Sequence, residues 1–372
     1  MTVLAALALA IWLYLLSAHG RFWQSGPALA PVRPETAPPA AIVVPARDEA
    51  ASIEPVLRSL LAQDYPGRFR VILVDDQSTD ATGLEARALA DPRLAVLDGT
   101  DRPTGWSGKL WAVAQGVEEA SRGGAELILL TDADIVHDRQ HLATLAAKAE
   151  RDRLDLVSEM VALRCEALPE RALVPAFVYF FQLLYPFARV NDPLSRTAGA
   201  AGGTILIRRA ALDRIGGIEA VRGALIDDVA LGAAVKRGGP VWLGHSELAR
   251  SVRPYPGFAD IWRMVARTAY VQLRFSPLRL VFCVLGMTLT FIVPPLAALA
   301  WRGAAGWMGA AAWAGMAASY LPTLRRYRRS PLWAPFLPMI ALFYTAATIG
   351  SALSHHLGRG VVWKHRAYQG AA

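Results

Sequence analysis

Cysteine is nearly missing from this 372-residue chain: only Cys165 and Cys283 occur, the second inside an apolar run. A disulfide framework is therefore not expected, and reduced thiols in a cytosol-facing domain fit the pattern. Lysine is scarce too, with four in the whole chain. Acidic residues all but vanish after Ser251, where thirteen Lys/Arg stand against Asp260 alone. That segment carries +12, so the first 250 residues carry −4 of the +8 total. A basic, apolar C-terminal third points to a membrane surface before it points to nucleic acid. No aromatic-interleaved basic patch or zinc-finger spacing is present, so nucleic acid is not an expected partner. No 20–50-residue repeat is visible, which argues against a solenoid. With 54% hydrophobic and 19% charged residues, the chain suffices for one large domain plus membrane segments, or for two domains.

Thr2 to Ala18 is an uncharged run followed by Arg21. No positive n-region precedes it and no A-x-A site follows, so residues 1–20 are expected to form a transmembrane anchor rather than a signal peptide. Arg21 and Arg33 favour a cytoplasmic C-terminal side. A Pro/Ala linker fills 21–39. Apolar runs at 41–45, 69–74, 94–97 and 127–130 then alternate with helical spacing through Ile53, Val56, Leu57, Leu60 and Leu61, through 82–90, and from about Lys109. The expected fold class is α/β, a doubly wound and mostly parallel sheet flanked by helices. Ala172 to Ala188 is uncharged and aromatic but short for a span. It is expected either to lie in the membrane interface or to pack on the domain. The catalytic domain is expected over 40–255, with an amphipathic interfacial helix over 256–276. About three membrane helices follow within 277–354, from runs at 280–301, 303–324 and 330–354, and then a basic tail at 355–372. The prolines at 331, 335 and 338 leave open whether the last run spans, re-enters or lies flat. Arg325, Arg326, Arg328 and Arg329 argue for a cytoplasmic loop. Lys364, His365 and Arg366 then fall outside against the same rule, which leaves the side of the tail open.

Three carboxylate pairs occur in order. Asp75-Asp76 ends one apolar run, Asp132-Ala133-Asp134 ends another, and Asp227-Asp228 follows the Gly202-Gly203 segment. Each alone has a bland reading as an Asx-turn, a solvated turn or a helix cap. Together they suggest one crevice, because the ends of neighbouring parallel strands converge. Two carboxylates can share a hard divalent cation that also binds phosphate oxygens. Lys109 can act as a point charge on a pyrophosphate.

Five segments carry a resemblance. They are VVPARDEAASIEPVLRSLLAQDYP (43–66), VDDQSTDAT (74–82), GKLWAVAQG (108–116), TDAD (131–134), and GGTILIRRAALDRIGGI (202–218) leading to IDDVALG (226–232). This ordered set resembles the family 2 inverting glycosyltransferases of the GT-A fold. The membrane layout is similar to ceramide-glucosyltransferase-like enzymes, and several segments look closer to hopene-associated glycosyltransferases. The resemblance implies that Pro45, Ala46 and Glu49 line the nucleoside pocket, with Asp76 on the base and Asp75 among the nucleotide-sugar-binding residues. It implies that Lys109 and Asp132 hold the nucleotide and that Asp134, with Asp132, ligates Mg²⁺ or Mn²⁺. Gly202 and Gly203 would admit the sugar, Asp227 and Arg267 would complete the donor site, and Asp228 would be the general base. The implied reaction moves a sugar from a nucleotide-sugar donor, a UDP-sugar in first place, to a lipid acceptor such as a hopanoid at the inner membrane, with the catalytic domain facing the cytoplasm. No feature of the sequence sets the oligomeric state.

The chain departs from the family pattern at four places. Asp48 replaces the usual Asn before Glu49, Ala114 replaces an Asn, and the acid pair is Asp-Asp rather than Glu-Asp. Met264-Val265-Ala266-Arg267-Thr268 lacks the Trp of processive members. The missing Trp disfavours polysaccharide synthesis, and the intact acids disfavour a non-catalytic nucleotide-binding scaffold.

Overall fold

The computed structural model describes residues 1–35, 37–358, 361–363 and 366–368. In chain order, α1 spans Thr2–Ser17, β1 Ala40–Ala46, α2 Ala50–Leu61, β2 Phe69–Asp75, α3 Thr82–Ala88 and β3 Leu94–Asp98. Next come α4 (Gly108–Arg122), β4 (Leu127–Thr131), β5 (Ile135–His137), α5 (His141–Arg151), β6 (Leu156–Ala162), α6 (Leu168–Leu184) and α7 (Phe187–Val190). The rest are β7 (Thr204–Arg208), α8 (Arg209–Arg214), α9 (Asp227–Lys236), β8 (Val241–Ser251), α10 (Phe258–Gln272), α11 (Pro277–Met287), α12 (Val293–Ala300), α13 (Ala304–Arg326) and α14 (Leu337–His356), with short strands β9 (Val361–Trp363) and β10 (Arg366–Tyr368). Two compact units result. One comprises 1–26, 165–188 and 254–362, and the other 27–164, 189–253 and 363–372. The expected catalytic stretch 40–255 is therefore interrupted, since 165–188 groups with the helices.

The second unit is built on one eight-stranded sheet of order β3-β2-β1-β4-β7-β6-β8-β5. β1 and β4 are buried along their whole length, as strands covered on both faces are. The expected parallel run holds for β3, β2, β1 and β4. Beyond β4 the mostly parallel expectation is corrected to a mixed sheet. β7 inserts antiparallel between β4 and β6, and β5 pairs antiparallel with β8. The physical reason is the connection: β7 arrives from the 191–203 segment rather than from a crossover helix lying on the sheet, so nothing forces it parallel. The four parallel strand ends, the exit of β4 and the entry to β7 fall at one edge, with Thr131 beside Thr204 and Ala46 beside Asp75. Helix α4 rests directly on this sheet. A Cβ on Gly116 would lie 2.4 Å from Val43 Cγ1 and 3.2 Å from Val74 Cγ2, so a side chain there would push the helix outward. This contact fixes the height of the α4 N-terminus, where Ser107 Oγ accepts the Leu110 N–H (3.3 Å) and Lys109 occupies the first turn.

The helical unit packs α1 and α6 among the C-terminal helices. Trp12 Nε1 donates to Thr290 O (2.8 Å), Tyr344 Oη donates to Leu173 O (2.9 Å), and Tyr179 Oη bonds Ser319 Oγ (2.7 Å). Among the described residues, three helical stretches are long and apolar enough to cross a membrane: Leu168–Val190, Pro277–Ala300 and Pro331–His356. Thr2–Ser17 is a shorter apolar helix. The stretch 168–190 thus has the length and composition of a span, and its helix α6 is also packed, through Leu173 and Tyr179, against the helices of its own unit. The run 303–324 does not: α13 has 23 residues, but its Gly, Ser and Trp content dilutes its hydropathy. Helix α10 is amphipathic as expected, burying Ile261, Val265 and Tyr270 while Arg263 and Arg267 stay exposed. In the basic tail, Lys364 and His365 lie outside the described residues.

Candidate active site

The site grows from the strand ends of the sheet unit. At the exit of β4, Asp132 Oδ1 lies 2.8 Å from Lys109 Nζ, which also reaches Asp227 Oδ2 at 3.2 Å. Asp227 and Asp228 occupy the first turn of α9, where the helix dipole favours negative charge. Neither acts as the N-cap, which is Ile226. Asp228 Oδ2 accepts the Gly202 N–H (2.8 Å), and Oδ1 accepts the Val229 N–H (2.8 Å). A Cβ on Gly202 would stand 3.4 Å from Asp228 Oδ2 and 3.5 Å from Lys109 Nζ. The glycine therefore brings backbone to both groups while leaving the space between them open. Pro45, Lys109, Asp132, Gly202, Asp227 and Asp228 line one cleft with Leu110, Val113, Ile205, Ile218 and Leu231 as its apolar wall.

The wall sets the electrostatics. Burial and the neighbouring Asp227 push Asp228 up to about 6, against the pull of Lys109. Burial raises Asp132 as well, with Lys109 opposing and Asp134 adding repulsion. Burial would depress Lys109, but Asp132, Asp227 and Asp228 outweigh it and hold the ammonium above its ordinary value. One cation thus stabilises three carboxylates that would otherwise repel.

The other expected residues form two further clusters. Asp134 Oδ2 accepts from Arg253 Nε (2.7 Å) and from Ser251 Oγ (3.2 Å), while the same guanidinium gives a 2.6 Å bond to Glu49 Oε1. Glu49 thereby couples α2 to the turn after β4, and Ser52 Oγ reinforces it by donating to Ala133 O (3.1 Å). At the ends of β1 and β2, Ala46 is fully buried and its carbonyl accepts the Asp76 N–H (2.8 Å). Asp76 is also fully buried, with its carboxylate 3.7 Å from Arg47 Nη1. Asp75 Oδ1 accepts the Ser78 N–H (3.0 Å), a turn-forming role. Gly203 faces Val161, whose side chain a Cβ would strike at 2.9 Å. Arg267 lies exposed on α10, in the helical unit.

Two residues escaped the sequence reading. Arg253 answers both Glu49 and Asp134, and Arg47 answers Asp76. Arg253 follows β8, and only the pairing of Ile135 with Ser251 brings it beside the acid turn. No local spacing signals that pairing.

A sheet with parallel strands on one side, an antiparallel insertion on the other, and carboxylates gathered at their junction is a GT-A-like α/β fold. Residues 41–216 match the Glycosyl transferase family 2 model, and the chain carries a domain of that family. The match ends before Asp227-Asp228, so the acid pair rests on the geometry above. The dodecaprenyl-phosphate galacturonate synthase of Rhizobium johnstonii is 33% identical over 118 residues, 31% of this chain and 34% of that protein. A 4,4'-diaponeurosporenoate glycosyltransferase of Staphylococcus aureus is 36% identical over 99 residues, 27% of this chain and 24% of that protein. The chain thus spans about a third or less of the curated relatives it matches. Among solved structures, the mannosyltransferase PcManGT from Pyrobaculum calidifontis, in complex with GDP-Man and Mn²⁺, is similar in fold. Its TM-score is 0.53 at 21% identity, covering 95% of this chain and 99% of that one.

Proposed function

We propose that this protein is a membrane-bound inverting glycosyltransferase that moves a sugar from a nucleotide-diphosphate donor to a lipid hydroxyl. The observation that carries the reading is the pairing of Lys109 with Asp132 and Asp227 in the cleft where Asp228 is held by the Gly202 N–H. Inversion at an anomeric carbon needs a base on the face opposite the leaving group. Asp228, raised to about 6 by its apolar wall, is ionised at neutral pH and basic enough to take the acceptor hydroxyl proton. Lys109 supplies positive charge to the departing diphosphate. Pro45, Ala46, Glu49, Asp75 and Asp76 would border the nucleoside, and the sequence resemblance adds Arg267 to the donor-binding residues.

Asp132 and Asp134 fit a divalent ion of the kind that uses one or two carboxylates plus substrate phosphates. Among the described residues there is no group of three or more His, Cys, Asp or Glu side chains arranged to hold an ion by themselves, which suits an ion arriving with the diphosphate. Such an ion, Mg²⁺ or Mn²⁺, would add positive charge to the leaving group when bound. The names of the relatives favour a lipid-linked acceptor. A UDP-sugar donor, a hopanoid acceptor, an N-terminal anchor and a catalytic unit facing the cytoplasm belong to the same proposal, which rests them on the sequence resemblance and on the apolar helices.

Membranes containing the protein, incubated with a panel of labelled UDP- and GDP-sugars and Mn²⁺, should transfer label to an extractable lipid. Absence of lipid label from every donor sinks the reading. Asp134→Ala should reduce the gain in UDP affinity that Mn²⁺ confers by about 10–100-fold, the loss usual for weakened metal sites. Calorimetric titration with and without the ion checks it, and equal gains in variant and wild type would remove Asp134 from the metal site.

A further inference from the structure

A buried chain of polar side chains runs beneath the cleft and joins its two working turns. Thr131, the last residue of β4, sits one position before Asp132. Its hydroxyl donates to Gly203 O (2.8 Å) and also contacts His137 Nε2 (2.9 Å), at the end of β5. His137 Nδ1 lies 2.7 Å from His141 Nδ1, and His141 Nε2 lies 2.8 Å from Glu159 Oε2 on β6. Thr131, His137, His141 and Glu159 are all at most 4% exposed.

The direction of this chain follows from its end. The Gly203 carbonyl can only accept, and the single Thr131 hydroxyl proton goes to it. The Thr131 oxygen must then accept from His137, which fixes His137 as the Nε2–H tautomer. Burial, with His141 beside it, holds His137 well below its ordinary value and so neutral, which leaves Nδ1 as an acceptor. His141 therefore donates from Nδ1, and one proton sits between His141 Nε2 and Glu159. Every contact is satisfied in a single orientation.

We propose that Thr131, His137, His141 and Glu159 form a positioning chain that sets the turn bearing Asp132 and Asp134 against the base, Asp228. The Thr131–His137 bond spans the acid turn from the residue before Asp132 to the third residue after Asp134. The same hydroxyl pins Gly203, whose neighbour Gly202 gives its N–H to Asp228. Donor binding is secured separately, because Lys109 holds Asp132 while Arg253 and Ser251 hold Asp134. Cutting the chain should therefore disturb alignment of the base more than affinity for the donor. This inference rests on the transferase reading of the cleft.

The test uses the full-length protein in detergent micelles. Thr131→Val, which keeps shape and removes the hydroxyl, should lower kcat by about 10–100-fold, as loss of a supporting hydrogen bond does, with donor KM changed less than about threefold. Thr131→Ser should recover most of the rate. A purely structural role predicts otherwise: Val and Ser variants would lose thermal stability and activity together, with no split between kcat and KM, and that result overturns the proposal. An ¹⁵N-histidine spectrum should show His137 protonated at Nε2 and bare at Nδ1, and the opposite tautomer also overturns it. If the wild type transfers no sugar from any donor, the transferase reading has failed, while the tautomer still decides the direction of the chain.

Discussion

Asp228→Asn should slow sugar transfer by about 10²–10⁴-fold, the usual contribution of a general base, while nucleotide affinity changes only a few-fold. The substitution is nearly isosteric. An Asn side-chain oxygen can still accept the Gly202 N–H that Oδ2 now accepts at 2.8 Å, while the Val229 N–H in the first turn of α9 loses its Oδ1 partner, so the backbone at Gly202 keeps its place. What disappears is the capacity to take a proton from the acceptor hydroxyl. The charge change also relieves Asp227, whose repulsion helps to raise Asp228, so the nucleotide side of the cleft should not weaken greatly. The wild type should show an acid limb in kcat/KM near pH 6, because a protonated carboxyl cannot accept a second proton. Single-turnover transfer and nucleotide titration on the same preparation separate the two effects. Unchanged turnover in the Asn variant, or an acid limb absent down to pH 4, would strip Asp228 of its role.

The parts of this site that sequence reveals are those carried by local pattern. Leu127–Leu130 and Ala41–Val44 are unbroken apolar runs, so their strands and the carboxylates that end β4 are readable without coordinates. The scarcity of lysine made Lys109 conspicuous, and the structure joins it to Asp132 and Asp227. The parts that stayed hidden depend on pairings between distant segments. β7 lies antiparallel to β4, and alternation of strands and helices cannot express that. Arg253 reaches Asp134 only because Ser251 pairs with Ile135. His137 and His141 carry no local signal, because their partner Glu159 lies on β6 and meets His141 only in the core. The pair Asp75-Asp76 also shows how far pattern reaches. Asp75 and Asp76 resemble the other acid pairs, yet Asp75 serves its own turn and Asp76 is buried beside Arg47.

Lys109→Met should be the most damaging cation removal in the molecule. The ammonium lies 2.8 Å from Asp132 and 3.2 Å from Asp227 and also offsets Asp228. Its loss leaves three carboxylates in one apolar-walled cleft with no cation between them. Lys109 now opposes the rise of Asp132 and Asp228, so without it both should bind protons more tightly. For activity, the acid limb set by Asp228 should move above its present value of about 6, and turnover at neutral pH should fall by at least about 10²-fold, because leaving-group stabilisation is lost as well. For stability, the sign follows from linkage. A carboxyl whose folded value is raised above its unfolded one favours the folded state at low pH, and that advantage is lost as pH rises through the raised value. The variant should therefore melt closest to the wild type in acid and fall progressively behind it from about pH 5 upward. The deficit should stay below the ~3–5 kcal/mol of a fully buried broken pair, since Lys109 and Asp132 keep 21% and 35% of their side-chain surface exposed. Lys109→Arg should restore the melting curve better than the rate, because a planar guanidinium supplies the charge but not the compact point donor. Thermal melts across pH 4–8, with turnover at each pH, read both effects. A Met variant with the wild-type acid limb and a constant melting deficit would show that Lys109 does not govern these carboxylates.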